Sequence, residues 1–170
     1  MSDPSIVPID GAPGAHLDSA IELLGEFWLF AEAHLFQDTQ VHRAKPDAGF
    51  FFDQLQGFML PHHRFALAQF GQESVGCVAL TELQNDSYSN ACEMQCLYVK
   101  PHFRRQGFGH QLIEQAVLWA QELEHSHLIF NPLWESESLR SIYSKFGFEE
   151  IPPLSHTHPS QSHLLMLELR

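Results

Sequence analysis

With 170 residues, the chain is long enough for one domain with a real core. Its 44% apolar and 18% charged composition fits neither a disordered nor a membrane-spanning chain, and no apolar run approaches the ~18 residues that a bilayer crossing needs. Nine basic against 21 acidic residues give a formal net charge of −12, a surface that repels nucleic acid and anionic lipid and attracts cations.

The opening MSDPSIVPID has no basic segment followed by an apolar one and predicts no secretory leader. Residues 5–9 (SIVPI) read as a short edge strand closed by the turn-forming DGAPG. From His16 to Phe36 the pattern is helical: Leu17, Ile21, Leu24, Trp28 and Ala31 recur at three and four, Leu35 continues the stripe, and Gly25 is a candidate break or bend. Residues 37–49 are polar and loop-like, and 50–60 (FFFDQLQGFML) predict a second short helix halted near Pro61. Trp28, Phe30, Phe36, Phe50, Phe51, Phe52 and Phe58 load this first third with aromatics, most of them expected in the core.

The character then changes. RFALAQF and SVGCVALTEL are strand-like runs around GQE, which predicts a hairpin, and ACEMQCLYV at 91–99 predicts a third strand. A helix follows over 108–123, with Leu112, Ala116, Trp119, Ala120 and Leu123 on one face. HLIFN at 127–131 is a strand, and SESLRSIYSKF a short helix stopped by Gly147. FEEI and HLLMLEL (163–169) are two closing strands. Cys77, Cys92 and Cys96 are odd in number, lie in these apolar runs and lack CxxC spacing, so they read as reduced core residues, which favours the cytoplasm. No repeat or linker divides the chain. The expectation is a single mixed α/β domain.

One stretch concentrates chemistry. In VKPHFRRQGFGHQLIEQA, three of the nine basic residues (Lys100, Arg104, Arg105) gather at one point and run into Gly107 and Gly109 at a helix start. The first N–H groups of a helix have no internal partner, and the helix dipole adds partial positive charge there. Glycines let an anion approach the backbone, so a diphosphate suits such a nest. A plain tight turn with solvated arginines is the structural alternative. There is no Gly-Lys-Ser/Thr of a P-loop, and His110, Gln111 and Leu112 after Gly109 break the dinucleotide pattern.

The strand EMQCLYV, the loop KPHF and then RRQGFG resemble the signature of the GNAT superfamily of acyl-CoA-dependent N-acyltransferases, Arg/Gln-x-x-Gly-x-Gly/Ala, met by Arg104, Gly107 and Gly109. LRSIYSKFGFEE is similar to the family's second element, a short helix with a Tyr shortly before Gly-Phe. The resemblance covers 64–148 well and 1–60 by element order. It implies one N-acetyltransferase domain over 1–170: acceptor-side helices within 1–60, an acyl-CoA-binding core at 64–148, and closing strands at 149–170. The implied fold has a central mixed, mostly antiparallel, splayed sheet flanked by helices. It implies acetyl-CoA as co-substrate, with the backbone of Leu97, Tyr98 and Val99 pairing with the pantetheine arm. The amides of Arg104, Arg105, Gln106, Gly107, Phe108, Gly109 and His110 would hold the diphosphate, Arg104 or Arg105 would add charge, and Leu97 N–H would meet the thioester oxygen. Ser136 stands where the family often has Asn, and Leu139 where it has a small residue; Asn131 is the candidate substitute.

Acyl transfer to an amine needs a neutral nitrogen, and deprotonating a lysine-like amine at pH 7 costs roughly 4–5 kcal/mol. Glu93, a carboxylate within an apolar strand, is the candidate base, or else it sits near the exposed strand start or pairs with a neighbour for structural reasons. Strict alternation puts it on one side with Gln95, Leu97 and Val99. Tyr143 is the candidate acid for the departing thiolate, against the reading of a half-buried helix aromatic. No HExxH or zinc-spaced Cys/His set is present, and no metal is expected from His62–His63, His125/His127 or His156/His158. The last pair lies in a connection that borders the acceptor site in the family. An aromatic-lined pocket in an acidic protein suits a cationic amine with an apolar body, either a small molecule or a peptide. The expected activity is acetyl transfer to such an amine without a covalent enzyme intermediate; the alternative is a non-catalytic acyl-CoA-binding module. Neither nucleic acid nor membrane is an expected partner, and a homodimer is left open.

Overall fold

The computed structural model describes residues 4–35, 44–84, 87–132, 137–154 and 164–170. His156, His158 and Ser136 lie outside these residues. Among the described residues, seven strands form one open sheet: β1 (Pro4–Pro8), β2 (Arg64–Phe70), β3 (Glu73–Leu83), β4 (Ala91–Val99), β5 (His127–Phe130), β6 (Glu149–Ile151) and β7 (Leu164–Glu168). Their spatial order is β1-β2-β3-β4-β5-β7-β6, and every pairing is antiparallel except β4 with β5. The mixed, mostly antiparallel sheet is therefore as expected.

Among the described residues, four helices cover the two faces. On one side lie α1 (Ala15–Leu35) and α2 (Ala48–Gly57); their Leu23, Leu24, Phe51 and Leu55 pack on Phe65, Leu67, Cys77, Ala79 and Tyr98. Gly25 does not break α1. A Cβ there would come 3.0 Å from Lys45 Cε and 3.5 Å from Phe51 Cε2, so the glycine admits a close neighbour. Helix α2 starts at Asp47, whose side chain accepts from Phe50 N–H at 3.0 Å. Of the aromatic load, Phe51 and Phe58 are buried as expected, while Phe50 and Phe52 are exposed.

On the other face, α3 (Phe108–Glu122) and α4 (Glu137–Phe146) pack Leu112, Ala116, Trp119 and Tyr143 on Leu80, Cys92, Met94, Leu128 and Phe130. Helix α4 ends in paired back-bonds: Gly147 N–H donates to Ser144 O and Phe148 N–H to Tyr143 O, each at 3.0 Å, with Gly147 at φ 88°. That closure brings the Phe148 ring back over Tyr143, with centroids 5.9 Å apart. The Tyr-x-x-x-Gly-Phe spacing is thus a helix stop that fixes the tyrosine.

Strand β4 is not regular. Cys77 stands opposite Tyr98 and Ala79 opposite Gln95, so Cys96 and Leu97 together face the single residue between, and Cys96 adopts φ 53°. This is a β-bulge, and a non-glycine residue in that region costs roughly 1–2 kcal/mol. It corrects the expectation from alternation. Gln95 shares the α1/α2 face with its partner Ala79, and Glu93 hydrogen-bonds Gln95 from the same side, but Leu97 and Val99 pack towards α3 and α4. Across the bulged region, a Cβ on Gly76 would lie 2.6 Å from the Tyr98 carbonyl oxygen, so β3 needs glycine there.

Candidate active site

β4 and β5 run side by side only from Ala91↔His127 to Met94↔Phe130. There β5 ends, while β4 continues to Val99. A cavity of about 610 Å³ opens where the strands part. Glu93 through Val99 form one wall, and Phe130, Asn131, Ile142 and Tyr143 face them. Phe27 of α1 closes one side, and Arg104, Arg105, Gly107, Gly109 and His110 close the end.

That end is built by the basic turn. Lys100 N–H bonds Val75 O at 2.8 Å, a 3-10 turn (Pro101–Phe103) follows, and α3 begins after Gly107 at φ 94°. The first bond within α3 runs from Gln111 N–H to Gly107 O at 3.1 Å. The amides of Phe108, Gly109 and His110 therefore have no partner inside the helix, and glycine as the cap residue brings no side chain to them. A Cβ on Gly107 or Gly109 would meet nothing within 4 Å, so space for a ligand lies directly against this backbone. An anionic group such as a diphosphate fits that donor set.

The side chains of the turn divide the work. Arg104 Nε donates to Val99 O at 2.9 Å, and its guanidinium lies over Phe30 and Tyr98. Arg105 is exposed, with φ 62°. Gln106 lies outside the cavity lining and its amide donates to His102 O at 2.9 Å. The Phe108 ring is buried in the core, which pins the helix start beneath its own amide. The His110 ring lies 4.7 Å from that of Phe146, linking the turn to α4.

At the other end, Glu93 is buried to 9% exposure, and Gln95 Nε2 donates to its Oε2 at 2.7 Å. Tyr143 is also buried, its ring 5.2 Å from Phe130, and burial pushes its phenol well above the ordinary value. Cys96 lines the cavity too; burial and then the nearby Glu93 carboxylate push its thiol up to about 12. Burial raises Cys92 to about 12 and Cys77 in the same direction. None of these thiols is ionised at neutral pH.

Tyr98 ties this site to α1. Its hydroxyl donates to Glu26 Oε2 at 3.1 Å, and Lys100 Nζ lies 3.9 Å from Glu26 Oε1 and 3.5 Å from Glu73 Oε1. Burial, then the Glu26 charge and its hydrogen bond, push Tyr98 up to about 12, against the pull of Arg104. The histidines are scattered: His63 Nδ1 pairs with Gly57 O, His127 Nδ1 with Ser126 Oγ, and buried His125 Nδ1 with Asn90 Oδ1. Burial lowers the His125 imidazole. Among the described residues, no three or more His, Cys, Asp or Glu side chains are grouped to hold a metal, and no helix is long and apolar enough to cross a membrane.

Every candidate residue except Gln106 and Phe108 thus borders one cavity. Sequence reasoning missed Phe27, which sits among several aromatics of α1 with nothing to distinguish it. It also gave no role to Gln95, whose amide could have been suspected from its i+2 spacing to Glu93.

Residues 61–150 match the model of the acetyltransferase (GNAT) domain. Over 79 residues the chain is 32% identical to an uncharacterized N-acetyltransferase of Dictyostelium discoideum, a match covering 46% of this chain and 36% of that protein. The chain thus spans about a third of the length of this curated relative. Among solved structures, a GNAT-family acetyltransferase from Staphylococcus aureus Mu50 superposes with a TM-score of 0.72 at 20% identity, over 99% of this chain and 100% of the other. The PaiA N-acetyltransferase of Thermoplasma acidophilum, in complex with coenzyme A, gives 0.68 at 16% identity over 98% and 99%. These two share the fold, including the N-terminal helices that the family model leaves out. With more than half of its length matched by the family model and a split sheet above a glycine-started helix, the chain belongs to the GNAT acetyltransferase family.

Proposed function

We propose that this protein transfers the acetyl group of acetyl-CoA directly to a primary amine, and that the acceptor is cationic with an apolar body. The observation that carries this reading is the set of groups gathered on one cavity. The turn of open helix-start amides and Arg105 lines it together with the Glu93 carboxylate and the Tyr143 phenol.

The roles follow from the chemistry of each group. The amides of Phe108, Gly109 and His110 bind the diphosphate, with Arg105 adding charge. The freed edge of β4 at Leu97, Tyr98 and Val99 pairs with the pantetheine arm, beside Asn131. Acetyl-CoA, bound this way, supplies an activated thioester carbonyl. Leu97 N–H donates to the carbonyl oxygen as negative charge develops on it. Glu93 takes a proton from the attacking amine, directly or through a water, and Tyr143 gives its proton to the departing sulfur. Burial keeps that phenol in its protonated form. The protonated state of Cys92 and Cys96 supports transfer without an enzyme thioester.

Phe27 and Glu93 on one cavity, within a protein of net charge −12, support a cationic acceptor, either a small amine or a protein amino group. Three free thiols support a reducing compartment such as the cytoplasm.

The test is release of free thiol from acetyl-CoA across amines, polyamines, aminoglycosides and basic peptides, with a parallel binding titration. Release that falls steeply in Glu93→Gln or Tyr143→Phe supports the reading. Tight binding without release from any acceptor would leave a non-catalytic coenzyme-binding module, and transfer only to anionic acceptors would remove the cationic assignment.

A further inference from the structure

We propose that Gln95 is a positioning residue for Glu93: its amide holds the carboxylate in the orientation from which it takes the proton of the attacking amine. The inference rests on the reading of Glu93 as the base.

Three observations converge on it. The amide donates to Glu93 Oε2 at 2.7 Å, a short and charge-assisted bond. Both residues line the cavity, and Gln95 is the first residue of β4 beyond the last pair with β5, Met94↔Phe130. Its side chain therefore stands at the mouth of the split. Its backbone is also unusually well indexed. Gln95 pairs with Ala79 immediately before the bulge at Cys96, and the small buried Ala79 leaves the long amide room to lie along the strand towards Glu93.

The chemistry of the partner matters. A carboxylate acting as a base must be fixed in direction yet keep its affinity for a proton. An arginine or lysine at that distance would fix it while strongly favouring the charged form. A neutral amide supplies the direction with a weaker bias. The bulge matters as well, because it turns Leu97 and Val99 away from the face that carries Glu93 and Gln95.

The experiment is a double-mutant cycle with Gln95→Met, which keeps the length and removes the donor, and Glu93→Gln, using acetyl-CoA and the panel amine that releases most thiol. Gln95→Met is expected to lower kcat about ten-fold, the scale of a misplaced catalytic group, with KM for both substrates nearly unchanged. In the Glu93→Gln background it should cost nothing further. Gln95→His, which keeps an N–H donor, should recover part of kcat. An equal loss in both backgrounds, or a raised acceptor KM with unchanged kcat, would overturn the proposal and leave the base reading standing. Full activity in Glu93→Gln would sink the base reading, and this inference with it. A second readout needs no acceptor: the side-chain carboxyl carbon-13 resonance of Glu93, identified by its loss in Glu93→Gln, should move in Gln95→Met. An unmoved resonance in a folded variant overturns the proposal.

Discussion

The guanidinium carbon of Arg104 lies 4.7 Å from the centroid of the Phe30 ring, so the first residue of the Arg-x-x-Gly-x-Gly turn is held by the helix that closes one side of the cavity. The same group lies 5.8 Å from the Tyr98 ring, while its Nε is bonded to Val99 O. Of the two adjacent arginines, Arg104 therefore braces α1 against the turn, and the exposed Arg105 is the one that the proposed function sets against the diphosphate.

Arg104→Lys keeps the charge and loses the flat stack, so thermal or urea unfolding should show a loss of about 0.5–1 kcal/mol. Its acetyl-CoA affinity should be close to wild type. Arg105→Ala should do the reverse, leaving the unfolding midpoint in place and weakening acetyl-CoA binding, with a shallower dependence on salt. Equal effects of the two changes on calorimetric binding would contradict this division.

Gly109→Ala separates folding from binding by sign. The glycine is helical and a Cβ there meets open space, so the ligand-free protein should gain roughly 0.5 kcal/mol of stability. The added methyl projects into space that an anion would need, so acetyl-CoA affinity should fall. A variant that is stabilised and binds normally would move the diphosphate elsewhere.

Tyr143→Phe should lower turnover by about a hundred-fold, within the range for a general acid, while leaving acetyl-CoA affinity nearly intact. The ring packs between Phe130 and Phe148, so the fold should tolerate loss of the hydroxyl. Steady-state kinetics with a binding titration checks both halves. Unchanged turnover removes Tyr143 from the mechanism.

Alkaline stability should depend on Tyr98. Its folded value of about 12 lies above the ordinary ~10 of an unfolded tyrosine. Above that ordinary value the unfolded chain releases a proton that the folded chain keeps. The Tyr98 contribution is therefore complete below pH ~10 and is lost as pH rises towards 12. Urea midpoints measured through this window should fall less steeply in Tyr98→Phe than in wild type. Tyr143, also raised by burial, adds to the decline in both proteins.

Much of this architecture was legible from local rules. The strand at 91–99 and the helix after Gly107 are marked by continuous apolar runs, a left-handed glycine and helical periodicity, all set within a few residues. What was not legible depends on contacts between distant segments. Nothing in MQCLYV signals that Cys96 takes a positive φ, because the β3 register and the packing of Leu97 against the opposite face impose it. The insertion of β7 between β5 and β6 is likewise non-local. In α1, Phe27 and Phe30 carry the same side chain; only the position of Tyr98 makes one a cavity wall and the other a shelf for Arg104.

Without its extra residue, β4 would present Glu93, Gln95, Leu97 and Val99 to a single layer. The irregularity instead turns Glu93 and Gln95 towards α1 and α2, and Leu97 and Val99 towards α3 and α4. The two pairs are then constrained by different surroundings. Under the proposed activity, substitutions that retune acceptor choice can accumulate ahead of Cys96 while the coenzyme grip behind it stays constant, so a change of acceptor need not rebuild the donor's seat.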